Sequence, residues 1–279
     1  SDAAIERSVT EAKPTLRRLI ECVRERSGKP AAESSQWLTD CQGQRGLWEA
    51  FKAARFAHPV LYDEVWGRAV LTQPAAIDTV TRMAHERAAV TFFDAGDVQA
   101  NGFQLAADET EGLTITDGGA SYMGFATSAV VATGLSDRPW QAVAMTGDGS
   151  FTMNPAALID GVSHGANAVI VIFDNRRMAA ISSLQLAQYG VDFATNDSVA
   201  VNYVAWASAV SGVLALHGGY TLESLTDAIT AALDYQGLAV VHVPVYFGED
   251  ALGGLGAYGD WNVGNWVQAT QARRHDIGL

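Results

Sequence analysis

Ala142-Val143-Ala144-Met145-Thr146-Gly147-Asp148-Gly149-Ser150 is followed, a short way down the chain, by Ala168-Val169-Ile170-Val171-Ile172-Phe173-Asp174-Asn175. Each stretch is a continuous apolar run that stops abruptly at small and polar residues, the pattern of a strand buried on both faces. Between them residues 154–164 carry helical spacing, with Asn154 and Pro155 expected as cap and first position. Strand, helix, strand at this spacing joins neighbouring parallel strands by one crossover. Both strand ends then lie side by side, where open α/β sheets bind their ligands.

The alternation extends outward in both directions. Pro74 fits a first helical position, Ile77, Val80 and Ala84 share a helix face, and residues 90–93 read as a strand. Residues 123–134 read as an Ala- and Gly-rich helix. Thr221 is placed to cap a helix carrying Leu222, Leu225, Ile229 and Leu233, and residues 238–243 form another buried run. The fold expected is a three-layer, doubly wound parallel sheet over residues 71–247. Residues 1–70 differ. Leu16, Leu19, Ile20 and Val23 recur at helical spacing, residues 27–35 break it with Gly28 and Pro30, and a second helical stretch holds Trp48, Phe51 and Phe56. A helical extension and linker is expected there. Residues 248–279 form a tail rich in Gly and Trp, read either as a lid over the site or as a loose terminus.

Composition removes several function classes. At 279 residues and 48% hydrophobic, the chain can bury a full core. A formal charge of -13 and a pI near 4.7 disfavour nucleic acid, which requires clustered Lys and Arg. Arg17, Arg18, Arg24 and Arg26 are interleaved with Glu21 and Glu25, as on a solvated helix face. Cys22 and Cys41 show no CxxC spacing, so they build neither a disulfide framework nor an iron-sulfur site. No apolar run approaches a membrane span, and the first residues are acidic, so a cytoplasmic protein is expected.

The chemistry sits at the two strand ends. In Gly147-Asp148-Gly149-Ser150, small residues let backbone N–H groups approach an anion, and the acid between them can hold a metal. Alone, such a turn also fits an ordinary loop. However, 24 residues separate Gly149 from Asp174-Asn175, which brings Asp148 and Asn175 together as hard oxygen donors suited to Mg2+.

This Gly-Asp-Gly, its spacer and the terminal Asn resemble the signature of thiamine-diphosphate-dependent enzymes, the family of decarboxylases, acetolactate synthases and transketolases. The resemblance implies that Asp148, the Asn175 side chain and the Arg177 backbone carbonyl ligate Mg2+, and that the Gly149 and Ser150 amides meet the diphosphate. The family usually has Asn where this chain has Asp174, a residue that also suits a turn. Ser121-Tyr122-Met123-Gly124-Phe125 resembles a segment of acetolactate-synthase-like enzymes. By that likeness Met123 wedges the cofactor into its bent shape, and the Ser121 carbonyl accepts from the aminopyrimidine. On its own Met123 also reads as core filler.

Within the family the likeness is strongest to hydrolases of cyclic diketones, including trihydroxycyclohexanedione hydrolase, and it spans about residues 70–266. It rests on Tyr122-Met123-Gly124-Phe125, on the run from Asp174-Asn175 to Ile181-Ser182-Ser183-Leu184-Gln185, and on the Trp-bearing residues 256–266. Family members also carry a pyrimidine-binding domain whose glutamate activates the cofactor. Residues 1–70 are too few for one and lack the alternation. A split enzyme and a hetero-oligomer are therefore expected, with the glutamate supplied by a partner subunit. The first expected reaction is decarboxylation or carboligation of a small keto substrate; the alternatives are hydrolysis of a cyclic 1,2-diketone and a noncatalytic cofactor-binding subunit. Gln185, Gln188, Tyr189, His164 and His217 read as ordinary surface or core polarity.

Overall fold

The computed structural model describes residues 12–26, 32–108, 112–118, 120–195 and 199–248. The tail read as a lid or a loose terminus, with Trp261 and Trp266, lies outside them. Two compact units divide the chain. The first, Ser1–Arg55, holds α1 (Ala12–Arg26) and most of α2 (Ala32–Phe56). Leu16, Leu19, Ile20 and Val23 line one exposed side of α1, as their three- and four-residue spacing dictates. In α2, Trp48 and Phe51 stack with ring centroids 5.4 Å apart.

The second unit, Phe56–Leu279, is the α/β body. It opens with strands β1 (Val60–Asp63) and β2 (Arg68–Thr72), then α3 (Gln73–Glu86), β3 (Val90–Phe93), α4 (Asp97–Leu105) and β4 (Thr114–Thr116). Next come α5 (Phe125–Ala129), α6 (Ala132–Leu135), β5 (Ala142–Gly147), α7 (Asp148–Phe151), α8 (Ala157–Ser163) and β6 (Ala168–Asp174). It continues with α9 (Ala179–Tyr189), α10 (Tyr203–Ser208), β7 (Val213–His217), α11 (Leu222–Asp234) and β8 (Leu238–Tyr246). The strands form one sheet in the order β1-β2-β8-β6-β5-β3-β4, parallel except for β1 on β2. β7 pairs the first part of β8 and β2 pairs its last two residues, Val245 and Tyr246.

The strand interiors alternate between two buried faces. Phe92, Ala144, Ile170, Ile172 and Val240 meet Ala126, Phe151, Leu158 and Tyr203 from the helices on one side. On the other side α3 and α11 pack on the sheet, with Ile77, Val80, Leu225 and Ile229 fully buried. Burying each such side chain stabilises the fold by about 1.5–3 kcal/mol. At α11 the cap is as anticipated: Thr221 and Ser224 form a reciprocal capping box.

Three expectations are corrected. The sheet begins at Val60, not after residue 70. Asp63 Oδ1 accepts from the Val65 and Trp66 amides, a local turn that pairs β1 with β2 and joins residues 60–70 to the α/β body. The helix over residues 123–134 is two pieces, α5 and α6. Val131, Thr133 and Gly134 donate three residues back, and Thr133 Oγ1 caps the Val130 carbonyl, so the first helix ends at the paired valines. Asn154 does not cap α8, which starts at Ala157; its side chain instead donates to Ser128 Oγ at 2.8 Å. A tertiary partner has outcompeted the local one.

Candidate functional site

A cavity of about 280 Å3 lies beyond the C-terminal ends of β3, β5 and β6. Ser121, Met123, Gly147, Asp148, Gly149, Ser150, Asn175 and Arg177 all line it. The structure thus brings every residue singled out by the sequence around one space. Register explains how: Gly147 pairs with Phe173 on the neighbouring strand, so Asp148 and Asn175 leave the sheet side by side.

Asp148 is buried and its carboxylate is already oriented. Oδ1 accepts from Gly149 N at 2.8 Å and Oδ2 from Arg176 N at 2.9 Å. Arg176 itself takes a left-handed conformation, φ 59°. Each oxygen keeps lone pairs that a cation can use. Asn175 Oδ1 accepts from Arg177 N at 3.0 Å, closing the same loop. The side-chain oxygens here are a carboxylate and an amide, hard ligands that suit Mg2+ and not a soft metal. Gly147 has open space where a Cβ would stand, whereas a Cβ on Gly149 would meet Met178 Sδ at 3.0 Å and Met123 Cε at 3.4 Å. A thin turn between two methionines is a cradle that a larger residue would fill. These residues fit a metal-bound diphosphate.

Asp174, where the resembled family has Asn, has its own partner. Oδ2 is 2.8 Å from His242 Nε2, and Oδ1 accepts from Arg176 N at 3.0 Å. Both side chains are buried, and the His242 ring packs against Tyr203, Trp66 and His217. Asp174 therefore anchors the loop of residues 175–177 to β8. His217 is pushed below its ordinary pKa by burial and by the neighbouring His242 and Arg68.

Met123 is held from below. Asp94, at the end of β3, accepts from Gly124 N and from Ala95 N at 2.9 Å each and from Thr146 Oγ1 at 2.9 Å. Burial raises the Asp94 pKa, and these hydrogen bonds oppose the rise. Ser121 sits at φ 51°, a left-handed conformation that bends the chain into this loop. On the far wall, Arg177 approaches Asp192 at 3.7 Å and lies over the Phe247 ring. Asp192 is held below its ordinary pKa by the Ser182 and Thr195 hydroxyls and by Arg177.

Several cavity residues were not anticipated: Gln73, Asp97, Met178, Ile181 and Leu184. The strand-end rule contained the signal for Asp97, which follows β3 directly. Gln185, Gln188, Tyr189, His164 and His217 do not line the cavity; Gln185 Oε1 accepts from Phe193 N and His217 Nδ1 from Gly219 N. Among the described residues no helix is long and apolar enough to cross a membrane.

Residues 94–243 match the family described as thiamine pyrophosphate enzyme, C-terminal TPP binding domain. Among curated proteins, the chain is similar to 3D-(3,5/4)-trihydroxycyclohexane-1,2-dione hydrolase of Lacticaseibacillus casei, 33% identical over 84 residues, which is 29% of this chain and 13% of that protein. The enzyme of the same name from Shouchella clausii is 27% identical over 132 residues, 46% of this chain and 21% of that one. The chain thus spans about a fifth or less of these relatives. Among solved structures, benzoylformate decarboxylase from Polynucleobacter necessarius aligns with TM-score 0.54 and 19% identity, over 63% of this chain and 33% of that one. The 4-hydroxybenzoylformate decarboxylase of Rhodococcus jostii RHA1 aligns with TM-score 0.57 and 20% identity, over 65% of this chain and 34% of that one. At such identity these two show the shared fold.

Proposed function

Because the chain belongs to the thiamine-diphosphate-dependent enzymes, through their C-terminal cofactor-binding domain, we propose that it holds the diphosphate and Mg2+ of an enzyme acting on a bond beside a keto group. The observation that carries this reading is the pairing of Asp148 and Asn175 at neighbouring strand ends, on a cavity that Met123 also lines. In the reading, Asp148, Asn175 and the Arg177 carbonyl hold Mg2+, and the Gly149 and Ser150 amides face the diphosphate. Met123 and the Ser121 carbonyl orient the remainder. Thiamine diphosphate, when bound, supplies a nucleophilic thiazolium carbon and an electron sink for the pair released when the neighbouring bond breaks. Met178, Ile181 and Leu184 keep that wall of the cavity apolar and dry.

Among the described residues no glutamate lines the cavity, whose acids are Asp97 and Asp148. In this reading the activating glutamate comes from a pyrimidine-binding domain on a partner subunit, and the assembly is a hetero-oligomer. The reaction is decarboxylation or carboligation of a small keto compound. A second reading, hydrolytic opening of a cyclic 1,2-diketone, is favoured by the names of the two curated relatives. The two are separated by whether the product keeps every substrate carbon.

The test of the cofactor reading is calorimetric titration of the full chain with thiamine diphosphate in Mg2+, for the wild type and Asp148→Ala. Loss of binding in the variant supports it. Binding that survives the substitution, or that ignores chelation of Mg2+, would overturn the assignment of Asp148.

A further inference from the structure

The β1–β2 hairpin has no role in the account above, yet its turn bears on the loop of residues 175–177 through two aromatic rings. Asp63, buried at the end of β1, uses both carboxylate oxygens. Oδ1 accepts from the Val65 and Trp66 amides at 2.8 and 3.1 Å, which shapes the 64–67 turn and fixes where Trp66 leaves it. Oδ2 accepts from Phe247 N at 3.2 Å and so ties the residue just after β8 to the same turn.

Each ring placed in this way meets one of two consecutive arginines. The Arg176 guanidinium carbon lies 5.8 Å from the Trp66 ring centroid, and that of Arg177 lies 4.4 Å from the Phe247 centroid, both within reach of a cation–π contact. Arg176 Nε is shielded from solvent and has no hydrogen-bond partner, which leaves the ring face to steady that part of the side chain. The backbone it carries has much to hold. Arg176 sits at φ 59°, a conformation that costs any residue with a Cβ. From there its amide donates to Asp148 Oδ2 at 2.9 Å and to Asp174 Oδ1 at 3.0 Å, while the Arg177 amide donates to Asn175 Oδ1 at 3.0 Å. These bonds orient the oxygens assigned above to the cation. Trp66 also packs on His242, ring centroids 6.3 Å apart, and His242 is the partner of Asp174.

We propose that the β1–β2 turn is a positioning clamp for the carboxylate of Asp148: Asp63 presents Trp66, Trp66 holds the Arg176 side chain, and the Arg176 amide holds Asp148. Asp63 and Trp66 are positioning residues, and neither lines the cavity. The proposal rests on the cofactor reading above for its consequence in binding.

The first experiment needs no ligand. Amide hydrogen exchange in the full chain is followed by nitrogen-15 NMR for the wild type, Trp66→Ala and Trp66→Phe. In Trp66→Ala the Arg176 amide should exchange at least about tenfold faster, while Ile170 and Val171, in the central ladder, keep their rates. Phenylalanine keeps a ring face and should hold the Arg176 rate within about threefold of the wild type. Should Trp66→Ala lose the ladder as well, Trp66→Leu, which fills the space without a π face, takes its place with the same expectation. Unchanged exchange at Arg176 overturns the proposal and leaves the cofactor reading standing.

The second experiment titrates the same proteins with thiamine diphosphate by calorimetry at stepped Mg2+ concentrations. Trp66→Ala should raise the Mg2+ concentration for half-maximal binding about fivefold. In an Arg176→Gly background, where glycine takes φ 59° without strain and leaves no side chain to hold, the same replacement should change it by less than about twofold. An equal effect in both backgrounds overturns the proposal, because a general loosening of the fold would not depend on the Arg176 side chain. Absence of binding by the wild type at every Mg2+ concentration overturns the cofactor reading and this proposal with it.

Discussion

Replacing His242 with Ala removes the partner of a carboxylate that is 2% exposed and bonded at 2.8 Å. The Asp174 oxygen left behind is enclosed by β6 and β8 and cannot recruit solvent freely. Losing a buried hydrogen bond to a carboxyl group and stranding its acceptor costs about 2–3 kcal/mol. Asp174→Asn should cost far less, about 1 kcal/mol or under, because an amide oxygen still accepts from Arg176 N and the amide N–H can donate to His242. In the Asp174→Asn background, His242→Ala then strands only a neutral group, so the double variant should recover about 1 kcal/mol or more relative to additivity. Urea unfolding of the four proteins, followed by tryptophan fluorescence, gives the cycle directly, provided the slopes agree. A coupling energy indistinguishable from zero would refute the view that Asp174 is there to meet His242. The cycle should be repeated in saturating Mg2+ and thiamine diphosphate. If Asp174 anchors the loop of residues 175–177 and that loop meets the ligand, ligand-induced stabilisation shrinks in His242→Ala.

Stability should also report on Asp97. Its folded pKa is raised to about 7 from an ordinary 3.8, so the stability allowed by the neutral acid is complete below about pH 4 and is lost as pH rises through 7. Asp97→Asn should therefore gain on the wild type between those limits, by on the order of 2–4 kcal/mol at pH 8, and a constant gap in urea midpoint across pH would contradict this. Gly134→Ala tests the seat of α6. The added Cβ would collide with the His164 carbonyl, a backbone group that cannot swing away, so a loss of about 3 kcal/mol or more is expected in thermal or urea unfolding. A loss under 1 kcal/mol would place α6 elsewhere.

The four buried strands at the centre of the sheet were legible because their composition leaves no alternative. Residues 90–93, 142–145, 168–173 and 238–243 are apolar on both faces except at Thr91 and His242, and the structure has strands over all of them. The site was legible for a related reason: glycines and a single acid at one strand end, and Asp174-Asn175 at the next, carry information in a few positions. Asp97 was missed although it stands just beyond a strand end, because an acid in the first turn of a helix is ordinary and its burial arises only in the folded chain. The β1–β2 hairpin was hidden by its shortness; four and five residues around a turn made by Asp63 give little periodicity. Asn154 misled because Ser128, distant in sequence, supplies what the helix terminus would have.

The pairing of Leu71 with Val245 deserves a different reading from the one given by sheet order. It lays the opening hairpin of the α/β body against the end of its last described strand, β8. A domain whose two ends meet is portable: it can be spliced into a longer polypeptide, or circularly permuted, without moving a strand. The same pairing implies that truncation from either side should be felt at the other. Trimming back past Val245 would release β2 and the β1 hairpin arm, although these lie nearly the whole body away along the chain.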